Sequence, residues 1–581
     1  MPRNLFERVM RTTASILFVI VAAGCGLPAG RAPSPVDAFD VVITNGRIID
    51  GTGAGWFYGD LGIRGDRIAR IAPRGMLSNA RADQRIDANG MVVSPGFIDI
   101  QSHSRGAFLS RDSRVVSKVT QGITTEIMGE GWTDAPSNAK TVAADGSVDP
   151  EAAASAAQRF AGPRGFDRWL RAMEDRGVSP NIGSFLGATT VRQYAKGMSE
   201  GAATPAELDS MRAVVRHAME DGAFGIATAL VYPPASFAST EELIELAKAM
   251  APYGGVYISH MRSEADQFLE AIDEVLRIGR EGGVPAEIYH LKAAGRRNWS
   301  KAAQAIAKID SARAAGQDVQ ANMYPYVVGG TGLAACLPPW VSADGKLLDN
   351  VRDTTIRARI RAEVSDERPQ TTWEPFCQLA TPAGVMLVGF RVDSLKKFEG
   401  KTLGDVAAAW SVPWVDALFA LTLAEEGRLS ALYTMMSEEN VELQLRQPWI
   451  KFGTDAGGQD PDSARSLTHP RAYGTFPRIL GYYVRERKVM PLEEAIRKAS
   501  SAVATRLSIA GRGVLKEGMF ADVVVFDPNT VRDVATFQQP HQISQGIRHV
   551  FVNGVAVVRD GTHTGAKPGR IVRGPGWRTT R

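Results

Sequence analysis

Cysteine and histidine are scarce in this chain. Three cysteines and eight histidines occur in 581 residues, too few for a disulfide framework and few enough that any metal site must be built from a handful of donors. Excess charge is also missing: 67 basic against 63 acidic residues leave a net charge of +4. No basic cluster is interleaved with aromatics, which argues against a nucleic-acid partner. There is no repeat at a fixed period, and the 58 glycines are spread through loops. With 44% hydrophobic residues, the chain is globular, buries a large core and divides into more than one domain.

The strongest apolar run, residues 15–23 (SILFVIVAA), is too short to span a bilayer and follows Arg3, Arg8 and Arg11. It ends at Ala22-Ala23-Gly24-Cys25, which resembles a bacterial lipoprotein cleavage box with Cys25 as the lipidated residue; plain secretory cleavage near Ala23 is the alternative. Residues 1–25 are thus expected to be an export signal and 26–37, including GRAPSP at 30–35, a linker. The mature protein is expected in the bacterial cell envelope or periplasm, held by a lipid anchor at Cys25, without a transmembrane helix. Two cysteines remain, Cys336 and Cys377. Spacing defines no pairing for them, and they are read as buried free thiols.

The middle of the chain alternates strands and helices. Residues 256–260 (VYISH) and 286–292 (AEIYHLK) are short apolar runs that stop at His260 and His290. Between them, residues 264–280 place Phe268, Leu269, Ile272, Val275, Leu276 and Ile278 at helical spacing before Gly282-Gly283. Such a βαβ unit has parallel strands and a right-handed crossover, so both histidines fall at carboxyl ends of strands, on one side. Eight candidate strands can be read, at 92–100, 125–128, 181–186, 224–227, 256–260, 286–290, 319–323 and 449–453. That predicts an α/β fold, a TIM (β/α)8 barrel over 91–510. An insertion at about 338–400 is placed to cover its mouth. Short strands at 38–90 and 511–575, with turn signals at Asn45-Gly46, Gly65-Asp66 and Asn553-Gly554, predict a small β-sandwich built from both ends of the chain.

Polar residues gather where the barrel strands end: Gln101 and His103 after the first, Glu130 after the second, His260 and His290 after the fifth and sixth, Asp455 after the eighth. Zinc takes three or four N, S or O donors and, for catalysis, keeps a position open. Glu130, His260 and His290 supply such a set. Asp455 is placed to take a proton from water and pass it to a leaving nitrogen.

These pieces, together with Pro95-Gly96-Phe97-Ile98-Asp99, the TQGITT run at 120–125, the YPPAS run at 232–236, His290-Leu291-Lys292, Tyr324-Pro325-Tyr326 and the HPRAYGTFPR run at 469–478, resemble the amidohydrolase superfamily. Within it, the chain is similar to the N-acyl-D-amino-acid deacylases, or D-aminoacylases. The resemblance spans nearly all of 38–575. It implies a barrel with a flanking β-sandwich, a zinc site, and hydrolysis of the amide in N-acyl-D-amino acids. In the family, the tight zinc takes a cysteine after the second strand and two histidines after the fifth and sixth; a weaker position uses a His-x-His pair.

This sequence departs from that pattern twice. It has Gln101-Ser102-His103 in place of His-x-His, and Gly129-Glu130-Gly131-Trp132 where the family carries its cysteine. The expectation is one occupied Zn2+ site on Glu130, His260 and His290, with His103 and Gln101 near it. The harder ligand set also admits other divalent metals, such as manganese. Matching positions nominate Lys292, Tyr324 and Arg471 to bind the carboxylate of a small N-acyl amino acid, and His469 to support its loop. Two alternatives stand beside this reading: an amidohydrolase acting on a dipeptide or hydantoin-like amide, and an exported binding protein whose catalytic site has decayed.

Overall fold

The computed structural model describes residues 38–144 and 150–578. The expected export signal at 1–25 with Cys25, and the linker at 26–37, lie outside the described residues. No single helix among the described residues is long and apolar enough to cross a membrane.

Strands from both ends of the chain make one nine-stranded sheet. Its joint is the Val92–Pro95 strand, which pairs in parallel with Ala38–Ile48 and antiparallel with Val523–Phe526. Val41, Ile43 and Leu61 from the N-terminal side and Val523 and Val525 from the C-terminal side share one buried cluster. Gly65-Asp66 and Asn553-Gly554 are two-residue turns, closing Arg64↔Arg67 and Val552↔Val555. Asn45-Gly46 is not a turn. The Ala38–Ile48 strand runs through it with a register shift between Ile43 and Gly46, Asn45 takes a left-handed φ of 56°, and its N–H donates to Asp60 Oδ1 at 3.0 Å. A bulge and a tight hairpin draw on the same residue preferences, so the dipeptide alone does not distinguish them.

The expected first barrel strand, 92–100, is two strands. The chain crosses from the terminal sheet into the central one at Gly96, where a Cβ would collide with the Thr124 side chain. Phe97–Asp99, Ile123–Met128 and Asn181–Ser184 then pair in parallel in that order. Leu186–Gly187, Gly225–Ala229, Val256–His260, Ala286–Ile288, Val319–Met323 and Ile450–Phe452 form a six-stranded parallel sheet. An isolated parallel bridge, Ser102↔Ala456, lies just past the ends of Phe97–Asp99 and Ile450–Phe452. Helices between them start on side-chain caps: Thr204 with Glu207 forms a capping box before Pro205–Glu220, and Ser239 Oγ accepts the Glu242 N–H at 3.1 Å. The Phe268–Gly282 helix buries Phe268, Ile272, Val275 and Ile278 and ends at Gly283 in a left-handed conformation. It begins four residues later than its periodicity suggests: residues 264–267 lie outside it, and the N–H of Glu264 donates to the side chain of Glu374.

Between Met323 and Ile450 the chain builds a three-stranded antiparallel sheet in the order Val328–Gly332, Ser430–Thr434, Val385–Val388. The excursion is therefore wider than 338–400, since its first and middle strands lie outside those limits. It has its own core, including Leu333, Val341, Phe376, Leu387 and Tyr433. That core corrects the reading of the cysteines. Cys336 and Cys377 are joined by a disulfide with Cα atoms 5.2 Å apart, because the Leu333–Cys336 turn packs on the Phe376–Leu379 helix. Packing of that kind is absent from cysteine spacing.

Candidate active site

The Ile123–Met128 strand ends in a turn that only glycine permits at Gly129, with φ 109° and the Phe185 carbonyl where a Cβ would lie. This delivers Glu130 into the middle of the site. Its Oε1 is 3.0 Å from His260 Nδ1 and 3.2 Å from His290 Nε2. Its Oε2 accepts from Gln101 Nε2 at 2.5 Å and lies 3.3 Å from His103 Nε2. Gln101 thus holds the carboxylate from behind the first strand. Burial alone would raise the Glu130 carboxyl, but the charge of His290 and hydrogen bonds from three histidines hold it well below the usual carboxylate range.

Donor atoms of Glu130, His260 and His290 all lie within 4.8 Å of one another, and so do those of His103, Glu130 and Asp455. The first set fits a divalent metal in chemistry as well as in spacing: one carboxylate and two imidazoles, all buried. The far side of each histidine faces a residue that the sequence reading missed. Glu264 Oε1 is 2.9 Å from His290 Nδ1, and its Oε2 is 3.7 Å from His260 Nε2. A carboxylate behind a metal-binding imidazole fixes its orientation and raises its basicity; Glu264 is at hydrogen-bond distance from His290, while His260 Nε2 has no hydrogen-bond partner. Its signal in the sequence was its place four residues after His260.

Asp455 has a left-handed φ of 50° and His290 one of 31°, a conformation that costs free energy in residues other than glycine and is tolerated where the surroundings enforce it. The enforcement at Asp455 is visible. Thr454, just before it, is gripped by Asp99, which accepts its N–H at 2.9 Å and its hydroxyl at 2.6 Å. Asp99 in turn receives Lys118 Nζ at 2.7 Å, and both side chains are fully buried. Asp99 was visible in sequence only as the end of the Pro95–Asp99 motif, with no role assigned, and Lys118 was not singled out, because a lone lysine reads as a surface residue.

Asp455 Oδ1 is 2.8 Å from His103 Nε2. Desolvation within the site lowers the His103 imidazole, whose side chain is 42% exposed, but Asp455 and Glu130 outweigh it and push it up to about 9. Of the substrate-binding nominees, Arg471 reaches Asp455 Oδ2 at 2.6 Å and lies 4.5 Å over the Tyr324 ring. Its Nε is buried without a hydrogen-bond partner. Lys292 Nζ donates to Glu264 Oε1 at 2.6 Å and lies 2.7 Å from His290 Nδ1, so it is tied to the back of the metal set. His469 holds the loop of Arg471: its Nδ1 accepts the Arg471 N–H at 3.0 Å and its Nε2 lies 2.9 Å from the Val328 carbonyl. His103, Glu130, His260, Glu264, His290, Lys292, Tyr324, Asp455 and Arg471 border one cavity of about 270 Å³, whose other wall includes Trp132, Tyr232, Phe376 and Met435.

Comparison with known proteins identifies the family. The amidohydrolase family pattern matches residues 406–558. A D-aminoacylase of Alcaligenes xylosoxydans xylosoxydans is 35% identical over 536 residues, 92% of this chain and 97% of that one. An N-acyl-D-glutamate deacylase of the same organism is 34% identical over 542 residues, covering 92% and 97%. The solved N-acyl-D-glutamate deacylase of Bordetella bronchiseptica, complexed with zinc and a phosphonate that mimics the tetrahedral intermediate, is 32% identical with a TM-score of 0.74, over 92% of this chain and all of that one. The chain therefore belongs to the D-aminoacylase family of amidohydrolases, enzymes that hydrolyse C–N bonds.

Proposed function

We propose that this enzyme hydrolyses the amide of N-acyl-D-amino acids to a carboxylate and a free D-amino acid, with a divalent metal, zinc first among the candidates, on Glu130, His260 and His290. The observation that carries the reading is the meeting of Glu130 Oε1 with both histidines in the same cavity as the Asp455–Arg471 pair. The fold is read as a (β/α)8 barrel over 91–510 with a flanking β-sandwich from 38–90 and 511–575. Support comes from the parallel pairing of all the central strands and from the isolated Ser102↔Ala456 bridge just past the ends of the first and last. The N-terminal sequence supports export to the cell envelope with a lipid anchor at Cys25.

A metal ion bound there supplies Lewis acidity, polarising the scissile carbonyl and lowering the pKa of water. The chain's own residues do the rest. Arg471, with its unpartnered Nε, and the Tyr324 hydroxyl receive the substrate carboxylate. Asp455, kept ionised by Arg471 and His103 despite its burial, takes the proton of the attacking water and returns it to the departing nitrogen. His103, a cation at neutral pH, donates to the oxygen that gains charge. Glu264 and Lys292 keep His290 in place.

The test is metal content of the purified protein beside hydrolysis of a panel of N-acetyl-D- and N-acetyl-L-amino acids. Bound metal with cleavage of D substrates is expected. Metal without cleavage of any of them would redirect the reading to other amides, and absence of both would reject it.

A further inference from the structure

We infer that Glu374, a carboxyl group on the inserted segment, is a positioning residue for the metal site and acts by fixing Glu264 behind the two histidines. The inference rests on the metal set proposed above. Glu374 Oε1 accepts the Glu264 N–H and the Ser263 hydroxyl, the latter at 2.9 Å. Ser263 Oγ accepts the N–H groups of Ala265 and Gln267, each at 3.2 Å, and the Glu264 carbonyl accepts the Ala294 N–H at 2.7 Å. One side chain of the insertion therefore sets the backbone from Ser263 to Gln267, directly after the His260 strand. Glu264 is left with its carboxylate aimed at His290, Lys292 and His260.

Two features mark this as more than a loop contact. Glu374 is only 5% exposed, and its Oε2 has no hydrogen-bond partner, an unfavourable burial that local folding alone does not call for. Glu374 also precedes Phe376, which borders the catalytic cavity, and Cys377, whose disulfide ties the segment to the turn after the cavity residues Gly329, Gly330 and Thr331. The wall facing the substrate and the brace behind the metal ligands thus belong to one fastened element. Burial and the charge of Glu264 push Glu374 up to about 8, so at neutral pH it is mainly the neutral acid, and a carbonyl oxygen is all its role requires.

The experiment measures zinc affinity by competition with a chromophoric chelator and the visible spectrum of the cobalt-loaded protein. Glu374→Ala is expected to bind zinc more weakly, by up to about 10-fold, the lower end of what loss of a direct partner of a ligand costs, and to change the cobalt spectrum. Glu374→Gln is expected to match the wild type in both. The control is Glu425→Ala: Glu425, on the same insertion and 2% exposed, accepts the N–H groups of Arg391 and Val392 at 3.0 and 3.1 Å, away from the cavity. Its loss should leave both readouts unmoved. Wild-type affinity and spectrum in Glu374→Ala, or equal weakening in Glu425→Ala, would overturn the inference. If Glu374→Ala does not fold, Glu374→Asp, one methylene too short to hold both donors, serves instead, and unaltered zinc binding in it overturns the inference equally. A wild-type protein that binds no metal would sink the proposed metal set, and this inference with it.

Discussion

Asp455 Oδ2 lies 2.6 Å from Arg471 Nη1, within a cavity wall where Arg471 also stacks on Tyr324. The guanidinium lowers the Asp455 carboxyl against the effect of burial, and in the proposed function it also offers donors to a substrate carboxylate. Arg471→Met should therefore separate into two signatures. Loss of a charge-assisted contact worth ~1.5–3 kcal/mol raises KM about 10- to 100-fold. Without the arginine the Asp455 pKa rises, its basic form is populated only at higher pH, and the acidic limb of kcat/KM moves to higher pH. A pH–rate profile of the variant checks this; an unmoved limb would separate Arg471 from Asp455 in function.

Glu130 contacts all of Gln101, His103, His260 and His290 through its two carboxylate oxygens. Removing it takes away the anionic member of the ligand set. Glu130→Ala should fold, since the side chain borders an open cavity, but lose stoichiometric metal by elemental analysis. Unchanged metal content would take Glu130 out of the set and leave the histidines to act with other donors.

Much of this site was legible in the sequence because strand ends mark it. Glu130, His260, His290 and Asp455 each terminate or follow an apolar run, and parallel pairing brings such ends together without further information. Glu264 and Glu374 were not legible. The first sits in what reads as the opening turn of an amphipathic helix, and the second in a charged, aperiodic insertion; their meeting spans 110 residues of sequence. Contacts of that range leave no local pattern. Gly96 and Asn45-Gly46 failed for the opposite reason. Their local signals were strong, but each fits two geometries, and the choice was made by packing against Thr124 and by pairing with the Phe57–Arg64 strand.

The disulfide is the next test. Cys336 and Cys377 close a 41-residue separation, for which the chain-entropy argument gives ~4 kcal/mol, and measured values for native disulfides run about 2–5 kcal/mol. The Cys336→Ala/Cys377→Ala protein should lose stability within that range in chemical denaturation. Thiol titration of unreduced protein spanning residues 36–581, which lacks Cys25, should find neither cysteine free in denaturant; two reactive thiols would restore the free-thiol reading.

Buried lysines should shape the alkaline stability. Lys451, on the last parallel strand, lies 2.9 Å from Glu287 Oε1 and donates to Gln320 Oε1 at 2.8 Å, while Arg506 takes the other Glu287 oxygen at 2.8 Å. Burial lowers its ammonium more than Glu287 restores it, to about 8 from the usual 10.5. Lys498, which donates to the Leu445 and Gln447 carbonyls, is also lowered to about 8 by burial. A lysine whose pKa is depressed by folding binds its proton more tightly in the unfolded chain. Between pH 8 and 10.5 each such lysine therefore keeps its proton longer in the unfolded state, and its own contribution to stability rises with pH by on the order of 3 kcal/mol. Lys451→Met removes one of the two contributions while leaving Glu287 paired with Arg506. Its denaturation free energy, measured across that window, should climb less steeply than that of the wild type. Parallel slopes would mean that Lys451 keeps an ordinary proton affinity, and that Glu287 compensates its burial in full.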